Sequence, residues 1–249
     1  MRFIAIAAAT AAFLSGIASA AEIKVLSTQA TEQSYRELVP QFEKATGHKV
    51  TTIFTGTLDA DKRVMANEPH DLLIMSQSSI DAHVKGGKVV AGSRVDLARS
   101  GVAVGVKAGA PKPDISSVDA LKRTILNAKS VGYSTGPSGN YIIALFERLG
   151  VAEQVKPKLK QTATGVFVGS IIASGEVEIG FQQVSELSQY EGVDYVGPLP
   201  AEVQNYTTFS SGILSNAKES EAARALVRYI TSPQAGAVYR KRGMEPGGG

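Results

Sequence analysis

Hydrophobic and polar positions alternate along this chain in two recurring patterns. Short apolar runs of strand length occur at 23–26, 50–54 and 71–75. After the first run, four large apolar residues follow the i, i+3, i+4, i+7 spacing of one buried helix face: Tyr35, Leu38, Val39 and Phe42. Pro40 within this stripe predicts a kink, and Gly47 predicts the end of the helix. A second helix is expected after Thr57, and a third over 80–85.

The same alternation continues to the C-terminus. It restarts after Arg99 and Ser100 with further predicted strands over 101–107, 130–133, 177–181 and 206–214. Predicted helices lie between and after them, over 118–126, up to Leu149, and over 166–174, 218–230 and 232–242. Strands and helices that alternate at this spacing indicate an α/β fold with a mainly parallel sheet flanked by helices. Such folds bind ligands at the carboxyl ends of strands, where helix N-termini point.

The first twenty residues have the pattern of a signal peptide. Arg2 supplies the positive start, the stretch 3–17 is apolar, and Ala18-Ser19-Ala20 matches the small-residue cleavage pattern. We therefore expect cleavage after Ala20 and export to the periplasm. The apolar stretch is shorter than the roughly 20 residues that a bilayer needs, so no membrane anchor is expected.

Composition narrows the classes of function. The 249 residues include 26 Lys and Arg against 23 Asp and Glu, and the basic residues are scattered among the acidic ones, which does not favour a nucleic-acid partner. With no cysteine, the chain has no disulfide framework, no thiol nucleophile and no cysteine-ligated metal. An apolar fraction of 43% predicts a packed core.

The junction at 134–141, with sequence STGPSGNY, lies between a predicted strand and a predicted helix. Pro137 sets the first helical turn, while Ser138 and Gly139 leave N–H groups free at a helix start, which suits an anion or a carboxylate. The alternative, given equal weight, is that a serine or threonine before Pro137 merely caps the helix. No lysine follows the glycines, so this is not a nucleotide-binding loop.

Two further junctions have the same character. Thr55-Gly56-Thr57 and Thr28-Gln29-Ala30-Thr31 each follow a strand and precede a helix. Each alone is explained by helix capping. Together the three junctions predict a site where neutral dipoles converge on a small anion.

Metal and hydrolase sites are not favoured. The candidate metal ligands lack the spacing of known zinc sites and are better explained as solvated surface or strand ends: Asp59, Asp61, His70, Asp71, Asp81 and His83. The serine at 138 is not in a G-x-S-x-G elbow. We expect no metal and no cofactor.

The order of segments resembles type II periplasmic substrate-binding proteins, and within them the molybdate-binding branch of ABC importers. Four segments carry the resemblance: QFEKATG at 41–47, DLLI at 71–74, PSGNY at 137–141 and SPQA at 232–235. The resemblance implies two lobes joined by a hinge of two crossing strands. Lobe I would comprise 21–100 and 206–249, and lobe II 101–205. A monomer that serves an ABC permease is implied as well.

The resemblance also implies ligand contacts at Ala30, Thr31, Gly56, Thr57, Ser138, Gly139, Gly165 and Gln183. The family commonly has serine where Ala30 stands and tyrosine where Gln183 stands. These differences leave two classes of ligand open, a tetrahedral oxyanion and a larger organic carboxylate.

Some aconitate isomerases are also similar to this family, so an enzyme is the alternative to a binding protein. An isomerase of a small polycarboxylate needs a positioned base for an allylic proton shift and groups that hold carboxylates. Arg63 and Ser138 are the candidates, with His70 as a further one. Binding needs only converging donors and a hinge, and the sequence favours it.

Overall fold

A computed structural model describes residues 20–247. The predicted signal peptide therefore lies outside the described residues, apart from Ala20. The ten strands of the described part are β1 Glu22–Thr28, β2 Lys49–Thr55, β3 Leu72–Ser76, β4 Val95–Lys107, β5 Val131–Tyr133, β6 Leu159–Gln161, β7 Ile179–Gln183, β8 Val193–Pro198, β9 Tyr206–Ile213 and β10 Glu245–Pro246.

The α-helices of the same part alternate with these strands, and three short 3-10 helices lie between them. The α-helices are α1 Glu32–Thr46, α2 Thr57–Met65, α3 Gln77–Lys85, α4 Val118–Asn127, α5 Pro137–Arg148, α6 Ala152–Val155, α7 Val168–Ala173, α8 Val184–Leu187, α9 Ser220–Ile230 and α10 Pro233–Lys241. Within residues 20–247, no helix combines the length and apolar character needed to cross a membrane.

The sheet has the order β2-β1-β3-β9-β4-β7-β5-β6, and β8 and β10 also pair with β4. At one end β1 is parallel to β2 and β3, and at the other β5 is parallel to β6 and β7. The central strands β4 and β9 pair antiparallel with their neighbours. The predicted α/β class with two lobes is confirmed, and the sheet is mixed because the crossing strands add antiparallel pairs to each parallel set.

Strand β4 runs through both halves of the sheet without a break. Its first part, up to Gly101, pairs with β9, and from Val102 onward it pairs with β7 and β8. The predicted restart at Gly101 is therefore wrong, because the strand begins at Val95 and continues across this point. The partners change at Gly101 and Val102, but the lobe boundaries given above stay a prediction.

Helix α1 packs one face against the sheet of lobe I. Its buried stripe contains Tyr35, Leu38, Val39 and Phe42, as the spacing predicts, and full burial of such side chains contributes roughly 1.5–3 kcal/mol each. The helix continues through Pro40 and ends at Gly47, whose φ of 77° is left-handed. The predicted end of the helix is thus confirmed.

Asp71 ties three segments of lobe I together. This buried carboxylate accepts hydrogen bonds from the backbone N–H groups of Lys24 (2.8 Å), Lys218 (2.8 Å) and Glu219 (2.9 Å). The backbone of Asp71 also accepts from the Leu214 N–H at 3.0 Å. Asp71 therefore has a structural role that joins β1, β3 and the approach to α9.

We expect Asp71→Ala to lower the free energy of unfolding by about 3 kcal/mol, because three backbone N–H groups lose their buried acceptor. Urea denaturation followed by circular dichroism measures this change. Asp81→Ala is the matched control, since the Asp81 side chain is partly exposed and pairs with Arg94 at the surface, at 2.7 Å. Its expected cost is below about 1 kcal/mol. Equal losses in the two variants would contradict the structural role of Asp71.

Candidate functional site

A cleft with a cavity of about 40 Å³ lies where strand ends of the two lobes face each other. Lobe I contributes residues at the carboxyl ends of β1 and β2, and lobe II contributes those at the carboxyl ends of β5 and β7. The segment before α7 completes the wall. Parallel strands place their carboxyl ends on one edge, which is why these junctions meet.

Six of the predicted contact residues line this cleft: Ala30, Gly56, Thr57, Ser138, Gly165 and Gln183. The structure therefore brings together all three predicted junctions. That these residues contact a ligand stays a prediction.

Helices α2 and α5 both begin at the cleft without a side-chain cap. Their N-cap residues are Gly56 and Gly136, which have no side chain to accept from the N–H groups of the first turn. The first-turn N–H groups, including those of Ser138 and Gly139, lack intrahelical acceptors and carry the positive end of the helix dipole. The capping alternative therefore does not account for the start of α5. The Ser134 hydroxyl instead accepts from the Gly136 N–H at 3.2 Å.

Thr31 and Gly139 do not line the cleft. The Thr31 hydroxyl is buried, lies 3.0 Å from the Ser27 hydroxyl and donates to the Thr28 carbonyl at 3.3 Å. A Cβ at Gly139 would lie 1.8 Å from the Ser134 carbonyl oxygen. Thr31 thus closes a local turn, and Gly139 allows α5 to pack closely on the end of β5.

Arg63 does not face the cleft either. Its guanidinium binds Asp59, one turn earlier, through Nε at 2.9 Å and Glu68 through Nη1 at 3.0 Å, and it does not line the cleft. Its predicted role in catalysis has no support in this placement. Among the described residues, no lysine or arginine lines the cleft. An anion there would be held by neutral donors.

The two lobes contact each other over the cleft. The Gln29 side chain donates from Nε2 to the Gly165 carbonyl oxygen at 2.8 Å. Gly56 approaches the same loop so closely that a Cβ would lie 2.4 Å from the Gly165 nitrogen. The structure is therefore a closed form, in which only glycine fits at position 56.

Glu186, in the first turn of α8, is a cleft residue that the sequence interpretation missed. Removal from water raises the pKa of its carboxyl from 4.5 to about 8. Hydrogen bonds from the Gln183 backbone and the Gln182 side chain oppose this shift, and the negative charge of Glu32 adds to it. The carboxyl is therefore mostly protonated at neutral pH, and it titrates close to that pH.

Gln182 fixes the position of this carboxyl. Its Oε1 accepts from the backbone N–H of Val168 at 2.8 Å, so its Nε2 faces Glu186 and donates to Oε1 at 2.8 Å. Gln182 is buried and also lines the cleft. The start of α7 is thereby linked through one amide to the titratable group.

Gln183 lines the cleft but turns its amide toward the hinge. In the orientation that satisfies both ends, Nε2 donates to the carbonyls of Ser100 (2.9 Å) and Gly101 (3.2 Å), and Oε1 accepts from the Thr207 hydroxyl at 3.0 Å. These partners belong to β4 and β9, the two crossing strands. The amide predicted to hold ligand is thus bonded to the hinge.

The side chains of five of the six residues weighed as metal ligands have other partners: Asp59, Asp61, Asp71, Asp81 and His83. His83 binds Asp61 at 2.8 Å, and Asp81 binds Arg94. Across residues 20–247, no group of three or more such side chains is arranged to hold a metal ion.

Comparison with known proteins agrees with this architecture. The family model described as bacterial extracellular solute-binding protein matches residues 23–245. Over 230 residues, 90% of this chain and 87% of the relative, the chain is 38% identical to a Pseudomonas sp. protein named aconitate isomerase. It is also 27% identical over 239 residues to a molybdate-binding protein of Azotobacter vinelandii, covering 94% of this chain and 93% of the relative.

A solved structure shows the same fold at lower identity. The periplasmic molybdate-binding protein of Azotobacter vinelandii superposes with a TM-score of 0.75 at 18% identity, over 89% of this chain and 98% of that one. With nearly its whole length matched, this chain belongs to the family of bacterial extracellular solute-binding proteins.

Proposed function

We propose that this protein binds a small organic polycarboxylate in the cleft and moves a proton between two of its carbon atoms. The observation that carries the proposal is Glu186, a carboxyl in the cleft whose pKa of about 8 lies near the working pH. A general base is most effective when its pKa lies near that pH, and perturbed carboxyls concentrate at functional sites.

The reaction that fits one such carboxyl is an allylic proton shift. The ionised carboxylate of Glu186 takes a proton from a CH₂ next to a carbon–carbon double bond. The electron pair of the broken C–H bond forms a new double bond, and the pair of the old double bond takes the proton back at the far carbon. Glu186 takes the proton as a carboxylate and gives it back as a carboxylic acid. One residue therefore serves as both base and acid.

The neutral donors of the cleft suit the carboxylates of such a substrate. Free N–H groups at the starts of α2 and α5 bind anions through hydrogen bonds and the helix dipole. The Thr28 hydroxyl, which lines the cleft, has no hydrogen-bond partner within the described chain. A bound carboxylate also brings negative charge to Glu186, which strengthens this group as a base.

The similarity to known proteins supports the same substrate class. Identity to the protein named aconitate isomerase is 38%, against 27% for the molybdate-binding protein. We therefore propose interconversion of trans- and cis-aconitate as the activity, carried out in the periplasm after removal of the signal peptide.

Capture of an anion for an ABC importer is the second candidate function. It is favoured by the closed contact between the lobes and by a cleft that holds neutral donors without a cation. In that case protonated Glu186 acts as a hydrogen-bond donor to the bound anion, and molybdate or tungstate are ligands to test.

We expect the purified protein to convert trans-aconitate to the cis isomer without an added cofactor. Chromatography measures the cis isomer as it forms. Calorimetry with molybdate, tungstate and citrate in parallel reports which class of ligand binds. Tight molybdate binding without turnover would contradict the isomerase and support capture for import.

Glu186→Gln should lower turnover by about 100-fold or more, because the amide cannot take the proton, while substrate affinity is kept. The same change should raise the melting temperature at pH 8 more than at pH 4.5. Between these values the folded carboxyl keeps a proton that the unfolded chain has lost, so the native residue costs stability as the pH rises.

Glu191, an exposed glutamate that lines neither the cleft nor its neighbouring cavity, provides the control as Glu191→Gln. This variant should leave turnover and both melting temperatures unchanged. Full activity in Glu186→Gln would show that another group moves the proton.

A further inference from the structure

A second chamber lies next to the ligand cleft. It has a volume of about 70 Å³, and its walls include Gln33 of α1 and Gln189, which follows α8. Gln29 and Glu186 line both the chamber and the cleft. The carboxyl that we assign as the base therefore borders two separate spaces.

The chamber runs from the surface to the buried start of α8. Gln33 and Gln189 at its outer side are exposed, whereas Ser185 at its inner side is 2% exposed. The Ser185 hydroxyl makes no hydrogen bond within the described part of the chain. Phe167 and Tyr190 form part of its wall, and the amides, the Glu186 carboxyl and the Ser185 hydroxyl form the rest. A space of this size accommodates water molecules, and these polar groups offer them hydrogen-bond partners.

The ligand side of Glu186 is closed when the lobes meet. The bond from Gln29 to the Gly165 carbonyl and the close approach of Gly56 to the same loop join the two lobes across the cleft. A substrate held there excludes water from its own side of the carboxyl. The chamber is on the other side.

We infer that this chamber is the route by which Glu186 exchanges its proton with solvent while the substrate remains in the closed cleft. The inference rests on the proposed function. A proton taken from the substrate carbon resides on the carboxyl as an O–H. In one outcome this proton returns to the far carbon of the substrate. In the other it leaves through the chamber, a solvent proton takes its place on the carboxyl, and that proton is delivered to the far carbon.

The surroundings of the carboxyl are consistent with such a route. Gln182 donates to one carboxyl oxygen, and Glu32 on α1 is the negative group whose charge acts on Glu186. At the outer wall Gln189 accepts from Arg242, which also binds Glu37 at 2.6 Å. The charged groups at the outer wall of the chamber, Arg242 and Glu37, are thus paired with each other.

The test uses trans-aconitate deuterated at its CH₂ group, in ordinary water, with mass spectrometry of the cis product at low conversion. Native protein should lose a measurable fraction of the transferred deuterium to solvent. Gln33→Phe places a bulky apolar side chain at the mouth of the chamber, and the lost fraction should fall roughly twofold or more while turnover continues. Gln33→Leu is a milder second variant in case the ring disturbs the fold.

Gln41→Phe is the matched control, because Gln41 is also an exposed glutamine of α1 but lies outside the chamber. It should lose deuterium as the native protein does. If native protein and both Gln33 variants turn over substrate and lose the same fraction of deuterium, the inference is overturned but the proposed function is not. The same holds if native protein turns over substrate and retains all of the transferred deuterium. No turnover in native protein would overturn the proposed function and the inference with it.

Discussion

Burial raises the pKa of the Glu186 carboxyl to about 8, so this group is mostly protonated at neutral pH. Burial disfavours the ionised form, and the hydrogen bonds from Gln182 and Gln183 offset only part of that cost. Within the described chain, neither lysine nor arginine lines the cleft. For the same reason a bound anion depends on backbone and hydroxyl donors. This lack of cationic side chains in the cleft thus affects both the pKa of Glu186 and the way a ligand is held.

The path of β4 explains how this environment is assembled. This single strand pairs with β9 in lobe I and with β7 and β8 in lobe II, so strand ends from both lobes face a common cleft. Gln183 at the end of β7 bonds to β4 and β9 where they cross. Gln182, its neighbour, holds Glu186. The hinge and the titratable group are thus connected through two consecutive residues.

Much of the fold, and the three junctions that line the cleft, could be predicted from the sequence. The junctions around Gly56, Thr57 and Ser138 were identifiable because each combines a strand end, small residues and a helix start within a few positions. The stripe of α1 was clear because fifteen residues of helix give a full periodic signal.

Other features depend on contacts that no local pattern contains. Helix α8 has four residues, too few for a periodic signal, and the pKa of Glu186 depends on burial by segments distant in sequence. Strand β7 was predicted over 177–181 but ends at Gln183. The sequence therefore did not place Gln182 at the strand end, where it bonds to Glu186. Thr31 was predicted as a ligand contact because it follows β1 at a helix start. The sequence does not reveal that its hydroxyl bonds within its own turn.

The most direct test of this account is the pKa of the Glu186 carboxyl itself. Carbon-13 NMR of protein labelled at glutamate, with the Glu186 signal assigned by its absence in Glu186→Gln, follows this titration in the ligand-free chain. The account predicts a midpoint near pH 8, far above the ordinary glutamate value. A midpoint near 4.5 would show that the carboxyl is ionised and solvated at neutral pH, and would contradict its assignment as the base.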